Sequence, residues 1–424
     1  MKKVLLLIIA AVVLLSVGGI LLDYWIVLPS HATATYVGSG KCAQCHQGSF
    51  DRWHGSPHDQ AMDLATSETV LGDFENASLT YQGVTSQMFR EGDRFMINTE
   101  GPDGDLEDFE VKYVFGIEPL QQYMVEFPDG RVQVLRVSWD TQSKEWFYHY
   151  PPDVRDERLA PDDPLHWTGR MSNWQQMCAE CHSTNLQKNY DPQLACYQTT
   201  FSEIDVSCET CHGPGSMHVE LAETPSLFWD RHHGYGLPDL KNKNAKFEIE
   251  SCAPCHARRH RVAADFTPGE ELLNYFEPAL LREGLYHADG QIQDEVYVYG
   301  SFLQSKMHAK GIRCTDCHDA HSTRLKHEGN RVCTSCHQHP AGKYDVPAHH
   351  HHAPGSSGAQ CVACHMPETH YMLVDPRRDH SIRNPRPDLS VALGVPNACT
   401  QCHLEMENRD APLRYADVLA KANG

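Results

Sequence analysis

The sequence predicts a mainly helical and irregular fold organised around a repeated five-residue motif. A small antiparallel β subdomain is inserted behind the first copy. Three observations lead there. The pentapeptide Cys-x-x-Cys-His occurs eight times and uses sixteen of the 17 cysteines. Residues 70–150 hold no copy and alternate apolar and polar side chains between turn-forming clusters. Elsewhere neither the helical nor the strand period persists for long.

The copies are Cys42–His46, Cys178–His182, Cys208–His212, Cys252–His256, Cys314–His318, Cys333–His337, Cys361–His365 and Cys399–His403. Two cysteines one short turn apart reach the two vinyl groups of one porphyrin and form thioethers. The next histidine then falls beneath the iron as proximal ligand. Zinc ribbons and redox dithiols also use Cys-x-x-Cys, but neither needs a histidine after the second cysteine. With 28 histidines in 424 residues, eight chance placements in eight pairs would be vanishingly rare. The motif therefore calls for eight covalently bound haem c groups. Their attachment points are Cys42, Cys45, Cys178, Cys181, Cys208, Cys211, Cys252, Cys255, Cys314, Cys317, Cys333, Cys336, Cys361, Cys364, Cys399 and Cys402. Their iron ligands are His46, His182, His212, His256, His318, His337, His365 and His403. The expected class is a multihaem cytochrome c fold organised around those eight haems, with porphyrin standing in for much of an apolar core. The apolar content of 41% agrees.

A net charge of −20 argues against a nucleic-acid partner, which needs a basic face. It suits basic redox partners or plain solubility. Residues 1–28 read as an N-terminal membrane anchor or signal. Lys2 and Lys3 precede an apolar run from Val4 to Leu22, then Asp23 and Tyr24 to Leu28. The two lysines favour a cytoplasmic N-terminus, leaving the rest on the periplasmic, outer face of the inner membrane. Ala32-Thr33-Ala34 resembles a cleavage site, and cleavage would release the chain.

Residues 29–69 form the first haem segment. There Phe50, Trp53 and Met62 lie at helical spacings, and His54 and His58 fall four apart on one helical face. Residues 70–150 form the β insert, with strands expected at Leu79–Val84, Phe95–Thr99, Phe109–Phe115, Gln121–Phe127, Val132–Trp139 and Trp146–Tyr150. Its expected role is a lid or partner platform. Residues 151–424 form the haem-dense domain with seven motifs, entered through the linker Pro151–Pro164. It contains the polar stretch Pro225–Lys246 and the four-histidine run His349–His352. No Walker-type loop, nucleophile elbow or dinucleotide glycine signature occurs.

The words around the motifs carry a resemblance. DPLHWTGRMSNWQQMCAECHSTNLQKNY, CETCHGPGSMHVE, GIRCTDCHDAHS and CVACHMPETHYMLVDPRRDHSIRNPRPDLS resemble the multihaem cytochrome c family often fused to tetratricopeptide repeats. That family is similar in haem-binding style to octahaem hydroxylamine oxidoreductase and to multihaem nitrite and tetrathionate reductases. The likeness runs from about Tyr36 to His403. The chain stops about twenty residues later, so the repeat domain is not expected. The resemblance and local spacing point to His58, His218, His287, His308, His321 and His380 as distal ligands. The seventh comes from the His349–His352 run, at His350 or His352, and the eighth is His149 or His166. Met171, Met217 or Met307 could replace a histidine at one iron, though packing is their default. His54, His232, His233, His260, His327, His339 and His370 are expected to be ordinary polar side chains, and Cys196 a free buried thiol.

The expected function is membrane-anchored electron transfer between a quinol-linked donor or other cytochromes and an external acceptor. The alternative is an oxidoreductase acting on nitrite, hydroxylamine or tetrathionate-like substrates at one open iron. His149, His166, Tyr148, Arg170 or Lys188 would then supply protons. All eight motifs end in histidine and none in lysine, which weighs against that alternative.

Overall fold

The computed structural model describes residues 2–26, 33–151, 154, 157–224, 236–241, 244–340 and 342–403. Ala32 of the cleavage-like triplet, His232, His233, much of Pro225–Lys246, part of Pro151–Pro164 and everything after His403 lie outside the described residues. Helix α1 (Lys2–Ile26) is apolar and exposed. Its 24-residue stretch Lys2–Trp25 is long and apolar enough to cross a bilayer. It fits a signal or an anchor equally.

Helix α2 (Ser39–Trp53) follows Gly38, whose φ of 83° is available to glycine at low cost. It carries the first motif and kinks at His46. Trp53 closes it, buried, with its indole N–H on the Val206 carbonyl at 3.0 Å. The helix stops there because Gly55 turns at φ 74° and Pro57 follows. His54 and His58 therefore do not share a helical face, contrary to their four-residue spacing.

The insert is a sizeable sheet, not a small one. A meander of seven antiparallel strands runs β2 (Ala77–Tyr81), β3 (Val84–Glu91), β4 (Arg94–Glu100), β5 (Leu106–Phe115), β6 (Leu120–Glu126), β7 (Val132–Asp140) and β8 (Glu145–Tyr148). The two-residue β1 (Asp63–Leu64) is an eighth strand, pairing with β5. The segment expected as one strand at Leu79–Val84 is a hairpin. Gln82 and Gly83 both take positive φ, the requirement of a tight two-residue turn. The sheet curls until its ends meet, so that the Tyr81 ring stacks on Tyr148 at 4.2 Å and lies 5.9 Å from Tyr150. Phe74, Met88, Ile97, Tyr123, Leu135, Trp139 and Trp167 form one apolar cluster of the sheet.

A second cluster ties the sheet to the remainder. Met62, Phe115, Met124 and Val134 pack on Trp174 of α3 (Trp174–Met177) and Ala179 of α4 (Ala179–His182). Beyond lie three two-stranded ribbons: β9 (Tyr190–Asp191) with β10 (Cys196–Tyr197), β11 (Arg259–Arg261) with β12 (Phe276–Pro278), and β13 (Glu368–Tyr371) with β14 (Asp375–Arg378). Between them run short helices: α5 (Cys208–His212), α6 (Ser216–Glu223), α7 (Ala245–His256), α8 (Tyr299–Leu303), α9 (Lys306–Ala309), α10 (Cys314–Cys317), α11 (Arg331–Thr334), α12 (Pro347–His350) and α13 (Cys361–His365). Among the described residues from 300 onward, the buried apolar side chains are Ala359, Tyr371 and Val395. Four motifs lie there. A segment with so little apolar interior needs another filling, which the haem expected at each motif would supply.

Candidate haem-binding sites

One turn of helix sets both cysteines of a motif on one side and brings the histidine after them. The motif thiols then touch from site to site. Cys42 lies beside Cys208, Cys252 beside Cys314, Cys255 beside Cys181, and Cys333 beside Cys361. Cys211 lies within electrostatic reach of Cys252 and Cys255, Cys317 of Cys333 and Cys336, and Cys364 of Cys399 and Cys402. Named by first cysteine, the sites form a path 42–208–252–314–333–361–399. Site 178 branches from site 252 through the Cys181–Cys255 contact.

The histidines are paired across gaps of one size. Ring centres stand 6.1 Å apart for His46 and His218, 6.3 Å for His58 and His256, and 6.3 Å for His212 and His321. They stand 6.2 Å apart for His349 and His365 and 6.0 Å for His352 and His403. Two imidazoles bonding one metal from opposite sides need about 6.2 Å, from metal–nitrogen bonds of about 2.0 Å and roughly 1.1 Å from nitrogen to ring centre. Direct imidazole stacking would be tighter. His318 and His380 also lie within electrostatic reach of each other.

The protonation pattern agrees with metal binding. His182 Nδ1 donates to the Ala61 carbonyl at 3.0 Å, His365 Nδ1 to Arg383 at 2.9 Å, and His380 Nδ1 to Arg378 at 2.9 Å. His58 donates to the Ala320 carbonyl. A ring nitrogen facing a carbonyl must carry the proton, which leaves Nε2 free as a ligand. Burial, helped by neighbouring histidines, holds His212 and His256 down to about 4. Both are neutral at pH 7, as a metal requires.

The remaining candidates stand elsewhere. Within the histidine run, His349 rather than His350 faces His365. His350 points its Nδ1 at the His352 backbone N–H. His287 holds a loop through its backbone groups, and His308 lies edge-on to Phe302 at 5.7 Å. His149 sits at the end of the sheet, where burial and Arg136 hold it down to about 4. His166 Nδ1 bonds Thr168 Oγ1 at 2.7 Å. None of these four has a motif histidine against its ring among the described residues. His337 lies edge-on to Tyr344 at 6.3 Å. Cys196 is part-buried in the β9–β10 ribbon.

Site 178, like site 333, has no histidine paired with its motif histidine among the described residues, and it is the more buried of the two. The ring against His182 is that of Phe115, at 5.2 Å and 77°, and no histidine faces it among the described residues. Arg377 lies within electrostatic reach of both His182 and His256. Its guanidinium is 5.4 Å from the ring centres of Tyr297 and Tyr371, and is held by Glu295 at 2.7 Å and Asp375 at 2.6 Å. Tyr297 reaches Cys178 and Cys181 and takes φ 58°, a costly conformation for an aromatic residue. Tyr371 is buried, and its hydroxyl has no partner among the described residues. Burial above all, with Glu295 adding, holds both hydroxyls above their ordinary range, so both stay protonated. Of the proton donors expected from sequence, Lys188 lies within electrostatic reach of Glu180 inside this motif, and the other four stand elsewhere. Tyr148, His149 and His166 belong to the sheet layer, Arg170 is exposed, and Lys188 bonds Gln176. Sequence reasoning missed Tyr297, Tyr371 and Arg377. Only the quoted words around residues 371–378 hinted at two of them.

The family described as cytochrome c554 and c-prime matches residues 41–84 and 157–213, which hold the first three motifs and the edges of the sheet insert. Among solved structures the outer cell wall cytochrome OcwA is similar at TM-score 0.58 and 19% identity. The match covers 90% of this chain and 86% of that one, and it concerns the fold. The Wolinella succinogenes octahaem sulfite reductase MccA, form II, is similar at TM-score 0.37 and 15% identity, over 84% of this chain and 60% of that one. No curated protein sequence matches.

Proposed function

We propose that this multihaem c-type cytochrome binds eight haems and relays electrons along them. The supporting observation is the set of histidine pairs at 6.0–6.3 Å strung on a continuous path of touching motifs. Haem iron, when bound, supplies reversible one-electron carriage at potentials set by ligand and burial. In this reading His46 with His218, His58 with His256, His212 with His321, His318 with His380, His349 with His365 and His352 with His403 would each hold one iron. Twelve histidines so used leave six sites unable to bind substrate and suited to carriage alone. Helix α1 directs the chain to the outer face of the inner membrane, where a quinol-linked donor or another cytochrome meets it. Whole-protein mass and a pyridine haemochrome assay test the count. A mass for bare polypeptide, with no covalent haem stain, would end the reading.

Site 178 favours a second activity, reduction of a small oxoanion such as nitrite. With no histidine against His182 among the described residues, Arg377, Tyr297 and Tyr371 would be the polar groups of this site. Arg377 offers charge-assisted hydrogen bonds to an anion, and Tyr297 and Tyr371 offer protonated hydroxyls. Ferric protein should show high-spin EPR intensity that nitrite titrates away. An entirely low-spin spectrum would remove this activity and leave carriage intact.

A further inference from the structure

On a chain of net charge −20, the stretch Lys306–Lys343 is basic, with seven Lys or Arg against three Asp or Glu. Six of those cations are exposed: Lys306, Lys310, Arg324, Lys326, Arg331 and Lys343. None of the six has an ion pair among the described residues. Two of the stretch's acids are engaged: Asp316 accepts from the Arg313 backbone, and Asp319 from Ser322 with Arg52 nearby.

Three of these cations, Lys326, Arg331 and Lys343, stand by one motif. Lys326 N–H bonds the Cys317 carbonyl at 2.8 Å, and Cys317 reaches Cys336. Arg331 opens α11, which leads into Cys333. Lys343 stands 5.9 Å from the ring of Tyr344, which lies edge-on to His337. Leu325 and Tyr344 are exposed apolar side chains among them, at 50% and 37%. Apolar side chains beside a haem motif, with unpaired cations outnumbering the one unpaired acid, Glu328, among the described residues, match the anatomy of a transient docking face.

We propose that the surface around Cys333–His337 is a docking port for an acidic electron-transfer protein. This inverts the expectation from net charge, which pointed to a basic partner. It rests on the reading of Cys333–His337 as a link in the electron path, with no histidine facing His337 among the described residues. A redox protein is favoured over an anionic membrane because three of the cations stand beside a haem motif and not on a continuous apolar face. The port lies in mid-path: an electron arriving there reaches site 178 through sites 314 and 252, or site 399 through site 361.

The experiment uses the full-length haem-loaded protein and reduced flavodoxin as an acidic probe. The readouts are binding by isothermal titration and reduction by stopped flow. Flavodoxin should bind, and its second-order rate should fall about tenfold or more between low and physiological ionic strength. The double variant K326E/K343E should lose about tenfold in affinity, while dithionite still reduces every iron. Three results would overturn the port. Flavodoxin could fail to bind while basic cytochrome c binds. The variant could shift a midpoint potential without changing flavodoxin affinity, which would make these cations partners of haem propionates. Or phosphatidylserine vesicles could bind and flavodoxin not. Failure of dithionite to reduce the protein would instead count against the carriage reading.

Discussion

Glu209 offers a sharp test of how the sites are held in register. It lies inside the third motif, 2% exposed, and accepts from the backbone of two other segments. Its carboxylate takes Val37 N–H at 2.9 and 3.0 Å, Gly38 N–H at 2.8 Å and Gly215 N–H at 2.7 Å. Val37 and Gly38 lead into α2 and the first motif, and Gly215 leads into His218, so one side chain joins the two halves of the His46–His218 pair. Glu209→Gln keeps the shape but removes the charge, and it turns an NH2 group towards backbone donors. Three charge-assisted bonds weaken, and a donor left buried and unpartnered costs about 1–3 kcal/mol, so the total expected loss is about 3 kcal/mol. The assay is guanidinium unfolding followed by far-ultraviolet circular dichroism, alongside limited proteolysis of the segment before Ser39. The midpoint should fall, and cleavage should precede global unfolding. A loss below about 1 kcal/mol with an unchanged proteolysis pattern would show that Glu209 does not hold the segments together.

Three further outcomes are expected. His349→Ala should convert one low-spin ferric signal to high spin, whereas His350→Ala should leave the EPR spectrum unchanged; the reverse order would break the pairing of His349 with His365. Arg377→Gln should weaken nitrite binding at site 178 by about tenfold or more in a visible titration, consistent with loss of one charge-assisted contact; unchanged affinity would remove Arg377 from that site. His149 is held to about 4, below its ordinary 6.5, so the unfolded chain binds more protons between those values. Its contribution is therefore present above pH 6.5 and lost as pH falls towards 4, by about 2 kcal/mol between pH 7 and pH 4.5. Unfolding titrations of wild type and His149→Gln at both pH values check this, and equal losses in the two proteins would refute it.

Covalent attachment is written locally, in five consecutive residues, so the motif positions needed no fold to find them. A distal ligand is a tertiary fact. His58, His218, His321, His380 and His352 stand near a nearby word or turn, and each faces a motif histidine. Within the histidine run spacing could not choose, because α12 ends at His350 and the next residue turns back at φ 59°, which presents His349 to one site and His352 to another. The β insert was legible from its turns, but β3 reads Val-Thr-Ser-Gln-Met-Phe-Arg-Glu, too polar to signal a strand until its partners bury alternate residues. Arg377, Tyr297 and Tyr371 were invisible for another reason. They come from separate loops and ribbons and share no spacing.

The sheet and the branch site are best understood together. Among the described residues His182 is the motif histidine whose ring lies against a side chain of the sheet, Phe115, and its Nδ1–H is fixed by Ala61, just ahead of Met62 in the same apolar cluster. Six of the seven sites on the main path, all but site 333, have a second histidine near the motif histidine, and an iron held between the two would constrain both rings. A site without that partner must be held by packing alone. Trp174 and Gln175 of α3, each 1% exposed, are set against β7, with Gln175 accepting from Val132 N–H at 3.0 Å and donating to the Gly130 carbonyl at 2.7 Å. Eight strands and two apolar clusters therefore do for site 178 what a second imidazole does elsewhere. The sheet holds one face of the site rigid, and Arg377 and its tyrosines would be the polar groups of the site.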